Sequence, residues 1–120
     1  MKKMKKVKHG NVSSHMKKNA GILKILSRSK GKVLKDIIRA SDTSLVKAVC
    51  ECAANVLKGY VHISSPQKKR LKQFVKELRA ITNAKVSLKK RRHIIQKGGF
   101  LPALLTPLAA IITGIATGLA

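Results

Sequence analysis

Residues 41–60, SDTSLVKAVCECAANVLKGY, carry the strongest helix signal in the chain. Asp42 can accept a hydrogen bond from a backbone N–H of the first turn, and Gly59 favours the end of a helix. Between them the apolar side chains recur at helical spacing. The resulting stripe consists of Leu45, Val46, Val49, Cys52, Ala53, Val56 and Leu57. It predicts an amphipathic helix with one buried face.

Similar patterns flank this segment on both sides. Residues 19–31 predict a short helix that stops near Gly31, and residues 33–39 repeat the helical spacing. Downstream, Ser65 is the expected cap of a helix with Pro66 in its first position, where the missing N–H costs nothing. Asn83 and Ala84 interrupt that helix, and Ser87 can cap another one. The expected core residues are Leu45, Val49, Val56, Leu71, Phe74 and Leu78.

These patterns predict an all-α fold with three parts. Residues 1–19 are expected to form a disordered basic arm, because they are rich in lysine and poor in apolar groups. Residues 20–97 are expected to form a small basic bundle of four or five short helices. Residues 98–120 are expected to form a Gly-Gly junction and an apolar helical tail, since all 27 lysines and arginines lie at or before Lys97.

The charge of the chain indicates a polyanionic partner. The formal net charge is +23, and there are only four acidic residues, Asp36, Asp42, Glu51 and Glu77. Such a charge favours association with nucleic acid or an anionic membrane surface. With two Phe, one Tyr and no Trp, the chain offers no series of aromatic platforms for unstacked bases, so the backbone of double-stranded DNA is the favoured partner.

The basic residues expected to contact DNA lie on the arm and on exposed helix faces. They are Lys2, Lys3, Lys5, Lys6, Lys8, Lys17, Lys18, Lys68, Lys69, Arg70, Lys72, Lys76, Arg79, Lys89, Lys90, Arg91 and Arg92. Contacts of this kind are made to phosphates and carry little sequence information.

Chemistry typical of enzymes is not evident. The four acids form no recognisable carboxylate pair, and no glycine-rich phosphate loop is present. Cys50 and Cys52 lie within the apolar pattern of a helix, which favours core packing over a metal site or a nucleophile. We therefore expect a protein that is not an enzyme and has no cofactor and no metal.

The uncharged segment 100–120, FLPALLTPLAAIITGIATGLA, allows three interpretations. Its 21 residues are about enough to cross the core of a bilayer as a helix, so it can be an anchor. It can also be a peptide that disrupts membranes, or a segment removed during maturation. A membrane-active or tail-anchored protein is thus the alternative to a DNA-binding one.

The C-terminal segment GGFLPALLTPLAAIITGIATGLA resembles the end of the adenovirus core protein X family, the precursors of the DNA-associated mu peptide. Members pass from a basic body through Gly-Gly into an apolar segment. The matching positions are Gly98, Gly99, Leu101, Pro102, Leu104, Pro107, Leu108, Ala110, Ile112, Gly114, Ile115 and Ala116. Residues 45–105 are also similar to small proteins of adintoviruses and Polinton-type elements. Unlike mu, this body is lysine-rich and contains predicted helices.

The resemblance implies a virion core protein that condenses double-stranded viral DNA without sequence specificity, in the virion core and the host nucleus. It also implies processing by an adenovirus-type cysteine protease after Gly99. The recognition residues would be Gln96, Lys97, Gly98, Gly99 and Phe100. A Gly-Gly pair can lie extended in a narrow cleft that excludes a Cβ.

The junction gives a first testable prediction. Replacing Gly98 with valine should block cutting by an adenovirus-type protease, because a β-branched side chain cannot enter the cleft. Mass spectrometry of the protein recovered from particles measures the outcome. Normal maturation of particles with the Gly98→Val protein, or wild-type particles that retain a chain of full mass, would contradict the processing hypothesis.

Overall fold

The computed structural model describes residues 13–97 and 99–116, with side chains as far as residue 114. Within these ranges the regular structure is helical and contains no strand, which confirms the all-α prediction. The helices are α1 (Ser14–Leu26), α2 (Gly31–Ala40), α3 (Thr43–Leu57), α4 (Ser65–Lys72), α5 (Val75–Thr82), α6 (Leu88–Lys97), α7 (Leu101–Leu105) and α8 (Ala109–Ala116). A 3-10 turn, Thr106–Leu108, joins α7 to α8.

Helix α3 is central and contacts α1, α5, α6 and α7. It begins as predicted, because the Asp42 carboxylate accepts a hydrogen bond from the backbone N–H of Leu45 at 3.1 Å. It also ends as predicted, since Gly59 has a φ of 80°, a conformation that favours glycine. Leu57, the last residue of α3, is exposed. The buried residues of α3 are Leu45, Val46, Ala48, Val49, Cys50, Cys52, Ala53, Asn55 and Val56.

Helix α1 begins earlier than the sequence indicated. The Ser13 hydroxyl accepts a hydrogen bond from the backbone N–H of Met16 at 3.3 Å, and Ser13 caps the helix. The buried face then runs through Met16, Asn19, Ala20, Leu23 and Leu26. The prediction of a disordered arm over residues 1–19 is therefore wrong for residues 14–19, because Met16 and Asn19 extend the buried face by a turn. Residues 1–12 of that predicted arm lie outside the described part.

Two buried asparagines help to join α1 to α3. Asn19 Nδ2 donates hydrogen bonds to Ser44 Oγ at 3.0 Å and to the carbonyl of His15 at 2.8 Å. Asn55 Nδ2 lies 3.9 Å from Met16 Sδ. Because a buried polar group without a partner destabilises a fold, these contacts fix which faces of the two helices meet.

The helix predicted to run from Ser65 past Leu78 is divided into α4 and α5. Its cap is Ser64, one residue earlier than predicted: Ser64 Oγ accepts from the backbone N–H of Gln67, and Gln67 Oε1 accepts from that of Ser64. The break at residues 73–74 allows α4 to pack against α7 while α5 packs against α3.

The predicted core residues other than Phe74 are buried. Phe74 is only partly buried, because it lies at the break, where its ring contacts that of Phe100 with centroids 6.0 Å apart. The buried members of the predicted set are Leu45, Val49, Val56, Leu71 and Leu78.

The apolar segment after the glycine pair is packed into the same core. Helices α7 and α8 both contact α1, and α7 also contacts α3 and α4. Pro102 lies in the first turn of α7, where a proline is tolerated, and Pro107 lies in the 3-10 turn. The side chains of this segment with at most 1% exposure are Phe100, Leu101, Leu104, Leu105, Leu108 and Ile112. Residues 100–112 are therefore part of the same globule as the helices before them, although the sequence pattern predicted a separate tail.

Among the described residues, no single helix has the length and hydropathy to cross a membrane. Helix α6 and the segment Leu101–Gly114 meet the length and hydropathy criterion only when they are taken together, and a bend of 99° separates them.

The packing of the C-terminal segment gives a stability prediction. Phe100→Ala should lower the free energy of unfolding by about 3–5 kcal/mol, because the ring is fully buried and its removal leaves a cavity. Phe74→Ala is the matched control and should cost clearly less, since this ring is partly exposed. Denaturant titration followed by circular dichroism measures both changes. Equal losses, or a Phe100→Ala protein as stable as the wild type, would contradict the burial described.

Candidate nucleic-acid interface

Most of the predicted DNA-contacting residues within the described ranges lie on the surface. The exposed ones are Lys17, Lys18, Lys68, Lys69, Arg70, Lys72, Lys76, Arg79, Lys89 and Lys90. The remaining lysines of the predicted set, at positions 2, 3, 5, 6 and 8, lie outside the described residues. Charged groups remain at the surface because their transfer into an apolar core without a partner is costly.

Helix α6 presents an open basic groove, which we call the α6 groove. Its cap is the predicted one, since Ser87 Oγ accepts a hydrogen bond from the backbone N–H of Lys90 at 3.1 Å. The groove has a volume of about 460 Å³. The described residues that line it are Ser87, Lys89, Lys90, Arg92, His93 and Gln96. As a helix of 10 residues, α6 is about 15 Å long, which matches about four steps of one DNA strand.

A second cavity lies where α2, α4 and the junction between α6 and α7 meet, and we call it the junction pocket. Its volume is about 290 Å³. Gln96 lines both this pocket and the α6 groove, so the two adjoin. The described residues that line the pocket are Lys30, Gly31, Leu34, Lys35, Arg70, Gln96, Lys97, Gly99 and Pro102. No carboxylate is present among the described residues that line either cavity.

The sequence interpretation did not assign Lys30, Lys35, His93 or Lys97 to the DNA interface. The exposure of Lys35 was predictable, because helical spacing places it opposite the apolar face of α2. Its convergence with Arg70 and Lys97 depends on the packing of α2 against α6 and of α4 against α7, which local sequence patterns do not encode.

Arg91 and Arg92 differ from the exposed lysines because both donate hydrogen bonds to backbone carbonyls of the protein. Arg92 Nη1 donates hydrogen bonds to the carbonyls of Ile38 and Ser41, each at 2.9 Å, at the C-terminal end of α2. Arg91 donates from Nε to the carbonyl of Val86 at 2.9 Å and from Nη2 to that of Asn83 at 3.0 Å. Part of each guanidinium is thus engaged by backbone carbonyls near helix ends, and the role of both arginines as DNA contacts stays a prediction.

Two of the acidic residues pair with basic groups outside the two cavities. Asp36 lies 2.8 Å from the Lys32 ammonium, and this hydrogen bond lowers the pKa of Asp36. Asp42 lies 3.4 Å from Lys18, while its pKa is lowered chiefly by the hydrogen bond from the backbone of Leu45. These pairs offset positive charge locally and leave the α6 groove and the junction pocket strongly positive.

Cys50 and Cys52 are free and buried, as the helical pattern predicted. Burial raises the pKa of Cys52 to about 12, so its thiol stays protonated at neutral pH. Burial also raises the pKa of Cys50, although the nearby Arg91 acts in the opposite direction. Within the described ranges, no group of three or more His, Cys, Asp and Glu side chains is arranged to hold a metal ion.

The predicted protease site lies at the edge of the junction pocket. Lys97 and Gly99 are exposed and Gln96 is partly buried, whereas Phe100 is fully buried. Gly98 lies outside the described residues. A protease that holds an extended chain across this site would have to withdraw Phe100 from the core. Cutting after Gly99 therefore requires local opening of the fold.

Searches against family models, curated proteins and solved structures match nothing to this chain.

Proposed function

We propose that this protein binds the phosphate backbone of double-stranded DNA without sequence specificity and compacts it. The observation that carries the proposal is the basic lining of the α6 groove and of the junction pocket, which share Gln96 and have no carboxylate among their described lining residues. Lysine and arginine side chains that neutralise phosphates release condensed counterions, which supplies the free energy of such binding.

The aromatic side chains support a duplex over a single strand as the ligand. Tyr60 and Phe74 are partly buried, and Phe100 is fully buried. The chain contains no Trp. Proteins that bind single strands stack successive bases on exposed aromatic rings, and this surface has none to offer. Binding through phosphates alone carries no direct information on sequence.

The setting that we propose for this activity is the core of a virus particle and the host nucleus. It rests on the resemblance of residues 98–116 to the core protein X family, in which the chain is a precursor. In that proposal an adenovirus-type protease recognises residues 96–100 and cuts after Gly99. The burial of Leu101, Leu104 and Leu105 adds a condition: the cut segment stays packed against α1 unless the fold opens.

The same burial favours a role in the fold for the apolar segment over insertion into a membrane. Removing residues 100–112 from the globule would expose the core faces of α1 and α3, which α7 and α8 cover. A membrane-inserted state must therefore compensate for the loss of these contacts.

The salt dependence of binding tests the proposed surface. The Lys89→Ala/Lys90→Ala protein should bind duplex DNA with a log–log salt slope smaller by about 2, because two phosphate contacts in the α6 groove are lost. Fluorescence anisotropy across a salt series measures this slope. Unrelated duplexes should give the same affinity.

The matched control is Lys32→Ala/Lys47→Ala, which removes the same charge from exposed lysines that line neither cavity and do not belong to the predicted DNA-contacting set. Its slope should change less, and circular dichroism should show both proteins folded. Equal slope changes would show that total charge, and not the α6 groove, determines binding. A tenfold preference among unrelated duplexes would contradict backbone recognition.

A further inference from the structure

We propose that the junction pocket is a discrete binding site for a linear triphosphate group, as in inorganic tripolyphosphate or a nucleoside triphosphate. This goes beyond the binding of duplex DNA, because it assigns a small-molecule ligand with one site per chain. It rests on the cavity itself and on the four cationic side chains that line it.

The charge of the pocket fits a compact multivalent anion. Lys30 directly precedes α2 and Lys35 lies within it, whereas Arg70 comes from α4 and Lys97 from the end of α6. Three separate segments thus bring cations to one cavity, whose described lining residues include no acid. A phosphodiester of DNA carries one negative charge, whereas a triphosphate group carries about four near neutral pH, since the second pKa of a phosphate monoester is about 6. The triphosphate matches the pocket charge more closely.

The size and lining of the pocket exclude recognition of a base. The volume of about 290 Å³ is at the lower limit for small-molecule sites, which span about 300–1,000 Å³. No aromatic ring is present among the described lining residues, and the apolar wall consists of Leu34 and Pro102. A duplex can contact only the rim of a cavity of this size. The phosphate chain is therefore the recognised group, and a nucleoside would project into solvent.

The chemistry of the lining groups suits phosphate oxygens. The Arg70 guanidinium can donate two parallel hydrogen bonds to one phosphate, and lysine ammonium groups act as point charges beside it. Gln96 adds an uncharged amide donor to the lining. Arg70 and the three lysines make no described internal ion pair, so a ligand does not have to displace a protein carboxylate.

Isothermal titration calorimetry of the full chain with sodium tripolyphosphate tests the proposal. The expected result is one site per chain at physiological ionic strength. Lys35→Ala and Arg70→Ala should each weaken binding about tenfold or more, because a hydrogen bond to a charged group is lost. Both side chains are exposed, so circular dichroism should show the variants folded.

Lys89→Ala/Lys90→Ala is the charge-matched control for Lys35→Ala/Arg70→Ala, because Lys89 and Lys90 line the α6 groove and not the pocket. The control should leave tripolyphosphate affinity almost unchanged. Equal losses in the two double variants, several equivalent sites, or no heat of binding would overturn the proposal. Failure of duplex binding alone would leave it standing, since this assay contains no DNA.

A titration with ATP identifies the source of the ligand. Equal affinity for ATP and tripolyphosphate would support recognition of the triphosphate group in either molecule. Clearly tighter binding of tripolyphosphate would assign the pocket to the inorganic chain. Binding of ATP that survives Lys35→Ala/Arg70→Ala unchanged would contradict the site.

Discussion

The burial of residues 100–112 against α1 and α3 is the contact on which the rest of the structure depends. A chain with a formal net charge of +23 repels itself, and compaction must be offset by apolar burial. The helices before the glycine pair supply most of the buried apolar side chains, and the uncharged segment after it adds six more with at most 1% exposure, which pack against α1 and α3. This segment completes the apolar core, while the lysines stay at the surface, where they can meet a polyanion.

Local signals in the sequence predicted the parts of the fold that local chemistry determines. Asp42 and Ser87 cap the helices that they were expected to cap, and Gly59 ends α3, since each effect involves residues within one turn. The division between α4 and α5 was not predictable in this way, because it follows from packing against two different neighbours. The C-terminal segment was ambiguous for a related reason: an uncharged run fits a membrane helix and a core helix equally well.

The candidate interface was likewise predictable only where local sequence determines it. Exposure of Lys68, Lys69 and Lys72 followed from helical periodicity, and the structure confirms it. The roles of Arg92 and Arg70 did not follow, because Arg92 bonds to carbonyls more than 50 positions away and Arg70 meets lysines from two distant helices. Sequence patterns place a charge on a face, but only tertiary packing determines which charges converge.

The two proposals for the junction assign one surface to two ligands. Gln96, Lys97 and Gly99 belong both to the protease sequence and to the lining of the junction pocket. An anion in the pocket and a protease at the glycine pair would therefore compete, and the protease would also have to withdraw Phe100 from the core. In these proposals the junction couples processing, ligand binding and stability of the fold.

Thermal unfolding of a chain that ends at Gly99, compared with the full chain by circular dichroism, tests whether the fold requires the C-terminal segment. The shortened chain should lose most of its helical signal and its cooperative transition, because α1 and α3 lose the partners that cover them. High salt should restore little of it, since the loss is of apolar burial and not of charge balance. A shortened chain with the helical content and midpoint of the full one would show the opposite, that residues 100–116 are dispensable for the fold.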